Sequence, residues 1–240
     1  YQERILSFND DIQGTGASAI AALMSAMKIK KQKFNDQRFV IAGLGQAGCG
    51  IARNILNMLK EEGAGDEEAR SKIFAYDYLG LLMEDTPDIL EYQKPFAQKH
   101  SAIAKWKLES PDKITLKDAV VNSKATVLIG VTGSKGLFSS EILSQMAAND
   151  ERPVILALSN PTSKSECTPE EVAAATNGRG IVATGSPFPP VEFNGKKLFS
   201  SQCNNMFIFP GLGLGALVSK TSRITTKMFL QASRALCDLV

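Results

Sequence analysis

Five short apolar runs punctuate the chain: FVIA at 39–42, IFAY at 73–76, TVLIGV at 126–131, PVILAL at 153–158 and IVAT at 181–184. Each is continuous rather than alternating, the mark of a strand buried on both faces. The first is read as extending over 39–44. Between the runs, 15–27, 47–60, 116–121, 139–148, 207–219 and 227–240 read as helices. Small and apolar residues dominate 15–27 (TGASAIAALMSAM), as in a helix packed closely on a sheet. Asp10 and Asp11 ahead of it suit the positive end of its dipole. The basic run KIKKQK (28–33) suits a helix end. Thr168, Pro169 and Glu171 supply a cap, a proline at the first helical position and an acid three residues after the cap. VEFNGKKLF (191–199) predicts a hairpin on an Asn-Gly turn. Residues 79–112 are charged and poorly periodic, part loop and part helix.

The stretch FVIAGLGQAGCG joins the first strand to the first long helix after it, and its glycines 43, 45 and 48 stand in G-x-G-x-x-G spacing. Gly43 permits the tight turn, Gly45 lets backbone approach a pyrophosphate, and Gly48 lets helix pack on strand. A plain glycine-rich turn is the competing reading; strand before and helix after favour the dinucleotide site. Asp77 ends the next strand, where an acid hydrogen-bonds ribose hydroxyls. It lies further on than the usual separation of about 20 residues, because EEGAGDEEARSK inserts a turn and a half-helix. Strands alternating with helices predict a Rossmann-like α/β fold. Its sheet is doubly wound and mostly parallel, with helices on both faces and a small β-hairpin excursion. Ligands then bind at the carboxyl ends of strands, where Gly43, Asp77, Thr132, Asn160 and Gly185 fall.

Composition narrows the function classes. At 240 residues with 44% apolar and 22% charged content, the chain is an ordinary globular one. A net charge of +2, with no basic block interleaved with aromatics, gives no sign of a nucleic-acid partner. No apolar run is long enough to cross a bilayer. Cys49, Cys167, Cys203 and Cys237 show no C-x-x-C pairing and read as reduced thiols of an intracellular protein, cytoplasmic or mitochondrial. Cys49 reads as small filler in the loop. His100 is the single histidine, in a polar stretch, so Ser-His-Asp hydrolysis is excluded. The chain opens on Tyr1 without an initiator Met, signal-like or transit-like segment, as expected of a piece of a longer protein.

Six blocks in order resemble malic enzymes: FNDDIQGT, GLGQAGCGIA, YDYLGLL, PVILALSNPTSKSEC, ATGSPFPPV and QCNNMFIFPGLGLG. The resemblance implies that 1–240 is their NAD(P)-binding domain, without the upstream catalytic domain and the last C-terminal helices. It implies Asp11 as a ligand of Mg2+ or Mn2+ with Asp10 supporting it; without it, the pair reads as a helix cap. It assigns Gly43, Leu44, Gly45, Gln46 and Gly48 to the pyrophosphate, Asp77 to the ribose, and Thr132 and Gly133 to the nicotinamide side. Asn160, Asn204 and Asn205 fall to the dicarboxylate, with Asn160 also beside the cofactor; an amide offers donor and acceptor without adding charge. Cys203 replaces the usual Gly of the Q-G-N-N block. Gly16 stands where Ala is frequent, which is expected to loosen the helix start. Gln93 stands where NADP-preferring members tend to carry Lys, so NAD is favoured over NADP, although Lys94 is adjacent.

The implied reaction is oxidative decarboxylation of L-malate to pyruvate and CO2, in a homo-dimer or tetramer. The family's Lys base, Tyr acid and malate-binding Arg lie upstream of FNDD, so this polypeptide alone is expected to bind cofactor without turnover. Two rivals remain: a non-catalytic dinucleotide-binding or regulatory module, which needs neither Asp11 nor Asn160, and an amino-acid dehydrogenase cofactor domain, which explains neither FNDDIQGT nor SNPT.

Overall fold

The computed structural model describes residues 4–110 and 113–239. Its strands are β1 (Phe39–Ala42), β2 (Ile73–Asp77), β3 (Gly80–Leu81), β4 (Val127–Gly130), β5 (Val154–Ala157), β6 (Ile181–Thr184), β7 (Val191–Phe193), β8 (Lys196–Leu198) and β9 (Ser201–Gln202). Its helices are α1 (Thr15–Lys30), α2 (Gln46–Glu61), α3 (Asp66–Ser71), α4 (His100–Ile103), α5 (Leu116–Ser123), α6 (Ser140–Asn149), α7 (Pro169–Thr176), α8 (Phe209–Val218) and α9 (Thr226–Asp238). Seven strands form one sheet in the order β3-β2-β1-β4-β5-β6-β9, and β7 pairs with β8 apart from it. Within the sheet only the β2–β3 pairing is antiparallel.

The chain leaves β1 to build β2 on one side and later returns to place β4 on the other. The reversal opens a crevice at the carboxyl ends of β1 and β4. Register carries that edge across the sheet. Tyr76, Ala42, Gly130, Ala157, Thr184 and Gln202 are paired in turn, so Asp77, Gly43, Val131, Leu158, Gly185 and Cys203 follow along one rim.

Side chains alternate between two cores, as a pleated strand requires. Phe39, Ile41, Ile73, Val127, Ile129, Val154 and Leu156 pack with α1 and α2 on one face. Val40, Phe74, Leu128 and Ile155 pack with α5 and α6 on the other. Strands covered on both faces read as continuous apolar runs for this reason. Each fully buried aliphatic or Phe side chain contributes ~1.5–3 kcal/mol from the area taken out of water. A smaller cluster of Ala17, Ile208, Leu212 and Phe229 joins α1 to α8 and α9.

The five expected strands and the hairpin are present. Asn194 (φ 48°) and Gly195 (φ 71°) turn between β7 and β8 with the positive φ values that a type I′ turn needs. Thr168 caps α7 reciprocally with Glu171, and Lys31, in the left-handed region, ends α1 after Lys28 and Lys30. Two edge strands of two residues, β3 and β9, carry no period in the sequence. Asp10 and Asp11 do not start α1 directly: they open a π-helical turn (Asp10–Gly14) in which the Asn9 side chain accepts the Ile12 N–H at 3.1 Å, and α1 continues from it. Gly16 has a packing reason to be glycine. A Cβ there would fall 2.9 Å from Gly50 O and 2.2 Å from Asn54 Nδ2, so the glycine lets α1 and α2 touch. The last helix ends at Asp238; residue 240, included in the sequence reading, lies outside the described residues, as do 1–3, 111 and 112.

Candidate functional site

Gly43 has φ +91°, and a Cβ there would lie 2.7 Å from Val131 O. A Cβ on Gly48 would lie 1.9 Å from Gly43 O, so these two glycines are required by the protein itself. Gly45 differs: nothing lies within 4 Å of the position its Cβ would take. The protein leaves this space open at the residue that caps α2, as a phosphate cradle needs.

Asp77 closes on the loop. Its Oδ2 accepts the Leu44 N–H at 3.1 Å and the Gln93 amide at 3.3 Å, while Oδ1 accepts the Tyr78 N–H at 2.8 Å. Gln93, buried, also donates to Leu44 O at 2.9 Å and accepts from Leu90 N. Lys94 is paired with Glu91. Gly43, Gly45, Asp77, Gln93 and Thr132, with Tyr92, line one cavity of about 460 Å3. Four of the sequence-derived positions, Gly43, Gly45, Asp77 and Thr132, thus line one crevice together with Gln93, and Leu44 is hydrogen-bonded to Asp77 and Gln93. Gln46 and Gly48 begin α2 beside it, and Gly133 follows Thr132.

Cys49 lies under this loop, its thiol 3.4 Å from Leu44 O. Burial pushes that thiol from 9.0 up to about 12; Arg53 offsets part of the effect and the Asp77 charge adds to it. A thiol so protonated is a packing group rather than a nucleophile. His100 is exposed and pairs with Asp85 at 3.0 Å, outside the cavity.

The second half of the rim holds the asparagines. Asn160, at the β5 end, is exposed and its Oδ1 accepts from Ser186 Oγ at 2.7 Å. Asn204 Nδ2 reaches Gly185 O at 3.3 Å, and its Oδ1 accepts the Met206 N–H. Asn205 Nδ2 donates to Asp10 Oδ2 at 2.6 Å. A polar line therefore runs from Asp10 through the 204–205 pair and Gly185 to Asn160. Asn160 is not among the side chains lining the cavity of Gly45 and Asp77.

Asp10 Oδ1 is buried and has no hydrogen-bond partner among the described residues. Burial raises the Asp10 carboxyl above its usual range, the Asp11 charge raises it further, and Asn205 lowers it. An orphaned carboxylate oxygen beside the exposed Asp11 carboxylate fits the oxygen donors that a hard divalent ion takes. Two carboxylates are fewer donors than such an ion needs, and no cluster of three or more His, Cys, Asp or Glu occurs among the described residues.

Glu166 and Ser159 were not singled out from the sequence. Glu166 is fully buried, and it accepts from Thr132 N at 2.7 Å and Ser159 Oγ at 2.5 Å. The available signal was Gly130 inside the apolar run TVLIGV, since an isolated glycine in a strand marks a close approach.

The family model described as the malic enzyme NAD-binding domain matches residues 12–240. The chain belongs to the malic enzyme family. It is 45% identical over 238 residues to the NAD-dependent malic enzyme of Pseudomonas savastanoi pv. phaseolicola, covering 99% of this chain and 42% of that protein. To the NAD-dependent malic enzyme of Pectobacterium carotovorum subsp. carotovorum it is 47% identical, again over 99% and 42%. The crystal structure of NAD-dependent malic enzyme from Thermotoga maritima superposes with a TM-score of 0.70 at 30% identity, over 97% of this chain and 52% of that one. The chain thus spans less than half the length of these curated malic enzymes. No helix among the described residues is long and apolar enough to cross a membrane.

Proposed function

We propose that residues 1–240 are the cofactor-binding domain of an enzyme that converts L-malate to pyruvate and CO2 with NAD and Mg2+ or Mn2+. The observation that carries the reading is the open space at Gly45 with Asp77 hydrogen-bonded to the neighbouring Leu44 N–H. The pyrophosphate would sit over 43–48, against the start of α2, and a ribose hydroxyl would donate to the lone pair of Asp77 Oδ1 that Tyr78 leaves free. NAD is preferred to NADP: a 2′-phosphate would meet the Asp77 carboxylate, with Gln93 neutral and Lys94 held by Glu91. Thr132 and Gly133 would face the nicotinamide.

Asn160 and Asn204 would orient the dicarboxylate, and Asn205 would hold Asp10 through the bond seen here. Asp11, with the orphaned oxygen of Asp10, would hold the divalent ion. When bound, the nicotinamide would supply a hydride acceptor and the ion Lewis-acid polarisation of a substrate oxygen. This chain contributes binding and orientation; the general acid and base are expected from other parts of the enzyme. Assembly as a homo-dimer or tetramer is part of the same reading, supported by the exposed apolar side chains Phe209, Leu214, Leu217 and Val218 of α8.

Calorimetric titration with NAD+ and NADP+, each with and without Mn2+ and malate, tests the proposal. Binding of NAD+ tighter than NADP+ is expected. Absence of binding by either would overturn the assignment of Gly43, Gly45 and Asp77.

A further inference from the structure

One buried carboxylate joins two turns on the rim. Glu166 comes from the loop between β5 and α7 and lies over the bare Cα of Gly130, where a Cβ would fall 2.6 Å from its Cδ. Its Oε1 accepts the Thr132 N–H at 2.7 Å, the Thr132 hydroxyl at 2.9 Å and the Ser159 hydroxyl at 2.5 Å, while Oε2 faces the Ser159 N–H at 3.4 Å. Each hydroxyl has one proton, here directed at the carboxylate, so each oxygen is left to accept. Ser159 Oγ takes the Gly133 N–H at 2.8 Å, and Thr132 Oγ1 takes the Ser134 N–H at 3.0 Å.

Three successive backbone N–H groups, those of Thr132, Gly133 and Ser134, therefore end on a single carboxylate, one directly and two through a hydroxyl. Successive N–H groups around a left-handed residue form a concavity that binds anions; Gly133, at φ +68°, is such a residue. In this protein the anion-binding concavity is filled from within. The turn after β4 is thereby locked to Ser159, the residue that precedes Asn160 at the end of β5.

We infer that Glu166 is a positioning residue of the dinucleotide site. It sets the wall at Thr132–Gly133 at one fixed separation from Asn160, so that the nicotinamide half of the cofactor meets a rigid surface. The inference rests on the proposed placement of the nicotinamide beside Thr132 and Gly133. Glu166 acts only through Thr132 and Ser159.

The test compares NAD+ with ADP-ribose, which lacks the nicotinamide half, by calorimetry on the intact protein and its variants. Ser159→Ala removes the hydroxyl link between Gly133 and Glu166 at little change in volume. It is expected to weaken NAD+ about tenfold, the worth of one or two net hydrogen bonds, and ADP-ribose by no more than about twofold. Thr132→Val, which removes the other link, is expected to show the same split and serves if the first variant folds poorly. Glu166→Gln keeps an acceptor oxygen for the three donors at Oε1 and is expected to retain most of the NAD+ affinity. Equal losses for NAD+ and ADP-ribose would reduce Glu166 to a general structural role and overturn the inference, as would no loss for either. Failure of the unsubstituted protein to bind ADP-ribose would instead overturn the cofactor site itself, and this inference with it.

Discussion

The three glycines of the nucleotide loop look alike in the sequence and do different work. Gly48 has no room for a Cβ, whereas the position of a Cβ on Gly45 has no protein atom within 4 Å. Gly45→Ala is therefore expected to leave the melting temperature within about 2 °C of the parent while weakening NAD+ by tenfold or more, since the new methyl enters space meant for the pyrophosphate. Gly48→Ala should do the reverse first, forcing α2 off Gly43 at a cost of about 1–3 kcal/mol, read by denaturant unfolding. An equal effect on stability from both would sink the distinction. That Gly43, Gly45 and Asp77 meet in one crevice was legible because loop spacing and strand ends are local features. Glu166 was not: it is remote in sequence from Thr132, and its partner signal is one glycine in a strand. Gln93 was read for its neutrality, but its hydrogen bonds to Leu44 and Asp77 depend on a loop of no period.

Among the elements, β1, β4 and β5 were legible as apolar runs because both of their faces are covered, and β2 and β6, each half-buried at one end, because most of their residues are apolar. β3 and β9, two residues each, are set by their neighbours' open hydrogen-bonding edges rather than by their own side chains. The contact between α1 and α2 is also tertiary. Gly16 sits on Gly50, and a Cβ on Gly50 would fall 2.2 Å from Ile12 O in the turn that carries Asp10 and Asp11. Gly50→Ala is expected to destabilise the protein by about 1–3 kcal/mol, measured by urea unfolding. Because the atom nearest the new methyl is the backbone oxygen of Ile12, the turn should move with it, and the Asp10–Asn205 bond should weaken. Unchanged stability in that variant would mean that the two backbones separate more easily than their packing implies.

Over the whole molecule, three buried thiols share one pH dependence. Burial raises Cys49 to about 12 and Cys203 to about 11 from 9.0, and it raises Cys167 as well. A raised folded value means that the folded chain holds protons which the unfolded chain gives up, so stability is complete below about pH 9 and falls as pH rises toward 11–12. Thermal melts between pH 8 and pH 11 should show the midpoint falling above pH 9, with native thiols inert to iodoacetamide at pH 8. Rapid alkylation of Cys49 at pH 8 would contradict its burial. NAD+ at about 100 times its dissociation constant should add about 2.7 kcal/mol of stability, seen as a rise in the same midpoint. The bond from Asn205 to Asp10 spans 195 positions, and Ser233 reaches back 216 to Ala17. During synthesis the strands that frame the dinucleotide loop all leave the ribosome before Asn205 does. The cofactor crevice can therefore take shape while the chain is still growing, whereas Asp10 waits, without its partner, until Asn205 has emerged.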